Sequence, residues 1–263
     1  ARDIKAPAVA FDGQDVAEGA GAELSLSQGQ EIAVTGVNFA EAWIDPDFFE
    51  VVNDTTLKFL AVDGDYRVKW DGKWFKVVPM FNGEKATYDN GKALWIIGDG
   101  GGKPAVGNTV GWNTGDAPLP MAQIAENKYQ ITLAMTGSGS VKVFGQSDWG
   151  LEWTSDLYSS FNGNGLFKLG DGTDGDNGNI YHTDSPAGYY VFTVVDNDGV
   201  LDMTVNKLAS TVWDAAADRN LWLTANQNNM EFFFATGGDW AGIDPAEYEA
   251  DGNHYYLTFP EAL

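Results

Sequence analysis

Residues 147–158 (SDWGLEWTSDLY) mix flat aromatic and hydrogen-bonding side chains more densely than any other stretch of the chain. Trp149 and Trp153 stand four apart, Asp148, Glu152 and Asp156 are interleaved with them, and Tyr158 follows. A sugar ring offers an apolar face of C–H groups and a rim of hydroxyls. An indole meets the face, and a nearby carboxylate or amide meets the rim. Burial of the face is worth on the order of 25 cal/mol per Å² of apolar area. Polar residues set among aromatics describe a loop surface better than a core strand, so Trp149, Trp153, Glu152 and Tyr158 form the leading carbohydrate-binding candidate. Trp112 in the Gly-rich loop 110–115 (VGWNTG) is the second, and Trp240 in GGDWAG the third. The competing role for each is core packing, the commoner fate of a large aromatic. Trp43, Trp70, Trp74 and Trp95 sit in apolar strand patterns and are expected inside.

Residues 170–179 (GDGTDGDNGN) invite a metal reading. Calcium takes six to eight oxygen ligands, and Asp171, Asp174 and Asp176 offer several. The spacing departs from the helix-loop-helix calcium loop, because no Glu follows at the bidentate position. Asp-Gly and Asn-Gly pairs also make turns without any metal. Calcium therefore stands as an alternative to a cofactor-free chain.

Catalysis is weakly signalled. A glycosidase needs two facing carboxyl groups, about 5–5.5 Å apart when retaining and about 6.5–9.5 Å when inverting. Among 38 acidic residues some such pair can always be imagined, Glu152 beside Trp153 being the most tempting acid. No G-x-S-x-G elbow occurs, and His182 and His254 are isolated from each other and from any cysteine. The Gly-rich strings 98–102 (GDGGG) and 170–175 (GDGTDG) lack the Lys-Ser/Thr of a phosphate loop. The chain is expected to be no enzyme, with a hydrolase as the least favoured alternative.

The elements that must hold these residues read as strands. The 263 residues suggest two or three domains, and Gly 32 with Trp 10, Tyr 10 and Phe 15 suits many short strands joined by tight turns. In a first segment, 1–80, strands are expected at 31–36 (EIAVTG) and 56–62 (TLKFLAV). A hairpin over 66–70 and 74–78 follows, turned by Asp71-Gly72. Tyr66, Val68 and Trp70 alternate with Arg67 and Lys69, which buries one side. The polar stretch 81–92 is a boundary. A second segment, 93–208, carries strands at 128–134, 140–144, 189–195 and 201–208, the last two joined through Asn197-Asp198-Gly199. The third, 209–263, opens with one or two helical turns at 211–219 and continues into LWLT, MEFFFATGGDW and NHYYLTF. It holds nine acidic residues against Arg219 alone. Residues 141–150 and 231–242 echo each other faintly, which leaves a partial repeat open beside a short β extension packed on the second domain. The fold class is all-β, tandem immunoglobulin-like sandwiches with a carboxy-terminal extension.

Charge excludes partners. With Lys+Arg 15 against Asp+Glu 38 the net charge is −23, which repels nucleic-acid phosphates and anionic headgroups alike. A neutral glycan fits this surface. There is no cysteine, so no disulfide or thiolate site exists. No apolar run reaches the roughly 18 residues of a membrane span. The first ten residues lack a signal-peptide layout, so an export signal or lipid-bearing cysteine is expected upstream of Ala1.

One family shares the order of several short strings. LWIIGDG from Leu94 is followed by Gly111-Trp112, PLPM at 118–121, Lys128-Tyr129, 141–144 and Asp148-Trp149-Gly150. Gly178-Asn179-Ile180 and Gly188-Tyr189 complete the series. This order resembles the SusE/SusF-like glycan-binding lipoproteins of Bacteroides-type polysaccharide utilisation loci. DPDFFE at 45–50 and GDYRVKWDGKWFKVVP at 64–79 resemble the amino-terminal domain of uncharacterised members. The resemblance implies non-catalytic binding of starch or another glycan on the outer face of the outer membrane, through a lipidated amino-terminal cysteine. The first domain would then be a spacer. Binding residues vary between members, so no site residue transfers by motif. The alternative is an accessory subunit of an outer-membrane import complex whose aromatics are all core.

Overall fold

The computed structural model describes residues 9–103 and 111–208, together with the backbone of strands Asn220–Ala225, Met230–Thr236 and Asp239–Gly242. Among the described residues regular structure is nearly all strand, and several antiparallel sheets in sandwich-like arrangement define an all-β fold.

The alternating pattern of the first segment builds two sheets. One holds, in spatial order, Gln14–Asp15, Ala10–Phe11, Glu31–Thr35, Thr56–Phe59 and Phe49–Asn53. The other holds Ala22–Leu26, Gly64–Trp70, Phe75–Phe81 and Glu84–Lys85. Ile32, Val34, Leu57, Phe59, Tyr66, Val68, Phe75 and Val77 point between them into one core. The expected hairpin is present, closed by the pair Trp70–Phe75 around a turn in which Gly72 takes a φ of 98°. Trp74 differs from expectation in its destination. It sits in that turn, donates its indole N–H to Asp71 at 2.6 Å, and packs beside Trp43 into the core of the following sandwich.

That second sandwich sets Leu119–Pro120, Trp95–Gly98, Ser140–Phe144, Ile180–His182 and Phe167–Leu169 in one sheet. The facing sheet runs Gly101–Gly102, Lys128–Met135, Gly188–Asn197, Val200–Lys207 and Tyr158–Asn162, with Ala122–Ala125 added beside Lys128–Met135. The long hairpin turns at Asp198-Gly199, both at positive φ, as a two-residue loop between paired Asn197 and Val200 requires. Tyr158–Asn162 joins Val200–Lys207 in parallel.

Strand Trp95–Gly98 is buried on both faces, which explains its continuous apolar run. Leu94 and Ile96 face the second sandwich's own core. Trp95 and Ile97 face outward onto Val78, Met80 and Ala86 of the first sandwich and its connection, with Phe144 alongside. The stretch 81–92 is a tight hairpin followed by helix Tyr88–Gly91, begun by a Thr87/Asn90 capping box. Residues 1–208 thus form one compact unit with shared cores, and 209–263 form a second. The latter's three described strands pair antiparallel in chain order. The helical turns expected at 211–219 and the strand at 253–259 lie outside the described residues.

Candidate functional site

Strand Ser140–Phe144 is buried along its whole length and ends at a tightly surrounded glycine. A Cβ on Gly145 would lie 3.0 Å from the side chains of Leu151, Trp153 and Tyr88. The chain leaves the sheet there, loops out, and returns. Gly145 N donates to Leu151 O at 2.7 Å, Glu152 bridges back to Phe144, and Trp153 N donates to Val143 O at 3.0 Å. The return is made by Gly150 at a φ of 98° and Leu151 at 51°. A left-handed leucine is a strained choice for an exposed position.

Trp149 sits on this loop with 51% of its surface open. Its N–H donates to its neighbour Asp148 at 2.7 Å, and its carbonyl accepts from the Gln146 side chain, so the backbone under the ring is held. Trp112 comes from the other side. Its loop is tied to the sheet by the Gly98–Gly111 bridge, and its indole is half-buried on the cluster that includes Trp95 and Phe144. The Trp112 and Trp149 rings are 6.5 Å apart at 12°, and the Phe144 ring meets Trp149 edge-on at 5.7 Å. Two parallel indoles braced from below make a flat aromatic surface with one exposed member.

Glu152 lies next to this surface, its side chain 39% exposed and paired with Lys142 at 2.5 Å. The Lys142 ammonium also stands over the Phe144 ring at 5.9 Å. The other candidates part from the cluster. Trp153 is a correction to the expected loop surface. It is 5% exposed, donates its indole N–H to Gly199 O at 3.0 Å, meets Tyr88 edge-on and belongs to the second core. The reversal at Gly150-Leu151 puts the two tryptophans, four apart in sequence, on opposite sides of the chain. Tyr158 likewise turns its hydroxyl inward, where it has no hydrogen-bond partner among the described residues and burial pushes the phenol above its usual range. Trp240 lies in strand Asp239–Gly242 opposite Ala235, and its side chain is outside the described residues.

The acidic loop serves as turns. The Asp171 carboxylate accepts from the backbone N–H groups of Asp174 and Thr173, which hold it below the usual carboxylate range. Asp174 pairs with Lys168 at 2.8 Å, and Asp176 accepts from the Tyr181 hydroxyl at 3.2 Å. Among the described residues no three carboxylate or imidazole side chains converge on a point that suits a metal. The three aspartates considered for calcium are therefore separately engaged.

A buried ion cluster was not foreseen. Lys103, just past strand Gly101–Gly102, is fully buried with its ammonium 2.5 Å from Asp47 and 2.9 Å from Asp45. Asp47 also accepts from the Thr132 N–H and hydroxyl and from Gln130. Burial raises Asp45 to about 7, against the pull of Lys103. Burial would raise Asp47 too, but Lys103 and the Thr132 donors outweigh it and leave that carboxyl low. Burial opposes the Lys103 charge, and the two aspartates more than restore it. DPDFF was visible as a motif, whereas its partner lies 56 residues on with no local signal. The cluster joins the connection after Trp43 in the first segment to the second sandwich.

A cleft of about 80 Å³ between Tyr66, Met80, Lys92, Met121, Gln123 and Tyr129 is far smaller than pockets that enclose organic ligands, typically about 300–1,000 Å³.

Two stretches of this unit match family models. Residues 14–88 match the family described as Domain of unknown function (DUF5125), and residues 89–150 match Domain of unknown function (DUF5121). Both are known from proteins of the Bacteroidetes type. The second match ends just past Trp149. No curated protein and no solved structure matches the chain.

Proposed function

We propose that this chain binds a neutral carbohydrate without transforming it, on the Trp112–Trp149 surface, at the outer face of a bacterial outer membrane. The observation that carries the reading is Trp149, half-exposed on a hydrogen-bonded loop and parallel to a second, braced indole. A half-exposed indole set parallel to a second one offers a flat apolar face, and a sugar face suits such an indole flanked by polar groups. Glu152, Lys142, Gln146 and Asp148 supply such groups around the ring. The charge of −23 favours a neutral glycan over a uronate-rich or sulfated one.

The non-catalytic reading is supported by the pairing of Glu152, the acid beside Trp153 in sequence, with Lys142. Placement at the cell surface rests on the resemblance to SusE/SusF-like lipoproteins, whose lipid anchor would precede Ala1. Among the described residues no helix is long and apolar enough to cross a membrane. The role is capture of polysaccharide and support of its uptake.

One feature favours a second reading. Phe49–Asn53 is an edge strand with Val51 and Val52 exposed, which suits an accessory subunit that adds another protein's strand. Tryptophan-fluorescence titration against a panel of neutral polysaccharides, checked by affinity gel electrophoresis, separates the two. A saturable shift with one glycan supports the first reading. Silence across the panel from folded protein favours the second.

A further inference from the structure

The loop that carries Trp112 is tethered mainly by the other sandwich. Lys85, on strand Glu84–Lys85, donates to Gly115 O at 2.6 Å and pairs with the Asp116 carboxylate at 2.7 Å. Lys76, on strand Phe75–Phe81, donates to Asp116 O. Gly115 N in turn donates to Ser147 O at 3.1 Å, in the loop that presents Trp149. A single dipeptide is thus gripped by two ammonium groups from the first sandwich and by the Trp149 loop from the second. Gly115 stands at a φ of 79°, so the exchange of these bonds needs the freedom of a glycine there.

The chemistry sets this apart from an ordinary exposed ion pair. Such a pair contributes little, and Asp116 is almost fully exposed. Here two ammonium groups satisfy adjacent loop carbonyls, and Lys76 is half-buried, which pushes its ammonium below the usual range. Cations are scarce, 15 against 38 acidic residues, and two of them converge on one turn.

We propose that Lys76 and Lys85 are positioning residues for the aromatic platform: they hold 111–118 so that Trp112 lies parallel to Trp149. The first sandwich is then part of the binding surface and more than a spacer. The ligand of that surface rests on the reading given under Proposed function, but the positioning itself does not.

The test uses the far-ultraviolet exciton signal of the paired indoles in the ligand-free protein, defined as the part that Trp149→Phe removes. The double variant Lys76→Met, Lys85→Met keeps the apolar stems and deletes both ammonium groups. It is expected to lose that signal while its other strand signals persist, and Lys85→Arg alone is expected to retain it. Affinity for whichever neutral glycan binds the parent is expected to fall by about three- to tenfold, the cost of an unorganised loop. Should the double variant not fold, Lys85→Met alone is read, with a partial loss expected. An unchanged exciton signal in the folded variant overturns the proposal, whatever the glycan data show. Loss of the signal in a protein that binds no glycan supports the positioning and counts against the functional reading.

Discussion

Lys103 places its ammonium 2.5 Å from the Asp47 carboxylate with both side chains closed to solvent, and this contact joins the first segment to the second sandwich. Asp45 completes the cluster at 2.9 Å. Two carboxylates around one ammonium leave one excess negative charge when all three are ionised, and Asp45 is the member that relieves it by taking a proton. A buried pair of this kind is weak evidence of stability gained but strong evidence of stability at risk.

Removal of the cation should therefore be costly. Lys103→Met keeps the stem and strands two buried carboxylates, and a loss of about 3–5 kcal/mol is expected in denaturant unfolding. Asp45→Asn, which keeps the shape and removes the excess charge, should cost far less. Equal losses for the two would contradict the cluster as described.

The same groups set a pH dependence. Asp45 is raised from 3.8 to about 7 in the fold, so its contribution is fully present below its unfolded value and is lost as pH rises through about 7. Asp47 is lowered, so its contribution is present above 3.8 and lost as pH falls through its folded value. The cluster is therefore most stabilising near pH 4, where Asp47 has reached its full contribution and Asp45 has not yet lost its own. Thermal unfolding should show a midpoint that falls from about pH 4 to about pH 7 and levels off above, and Asp45→Asn should flatten that slope. General repulsion in a chain of charge −23 also grows with pH, and the variant separates the two effects.

The two tryptophans four apart should part company in stability. Trp153→Ala removes a core indole bonded to Gly199 O and is expected to cost about 3–5 kcal/mol. Trp149→Ala, on the surface, should stay within about 0.5 kcal/mol of the parent. Matching losses by calorimetry would mean that Trp149 is a packing residue.

That contrast marks how far the sequence could be read. Tyr66, Val68 and the run 189–195 announced strands because side chains of a half-buried strand alternate with period two. Trp95 was legible as core from its apolar surroundings. The division between Trp149 and Trp153 depends on a left-handed Leu151 and on a bond to Gly199, 46 residues further on, neither of which leaves a local trace. Lys103 with Asp45, and Lys85 with Gly115, are likewise products of how two sandwiches meet. Trp112 stood out only as an aromatic among glycines. Its parallel partner became visible once the strand Ser140–Phe144 was placed beside Trp95–Gly98.

The central claim is that Trp149 takes a sugar face. Its most direct test is isothermal titration of the parent, Trp149→Ala and Tyr189→Ala with the neutral polysaccharide that gives a fluorescence shift. Tyr189 is an exposed aromatic on the opposite sheet and serves as the control. The account predicts that Trp149→Ala weakens binding at least about tenfold, a loss of roughly 1.4 kcal/mol, while Tyr189→Ala binds as the parent does. Unchanged affinity in a folded Trp149→Ala protein would contradict it.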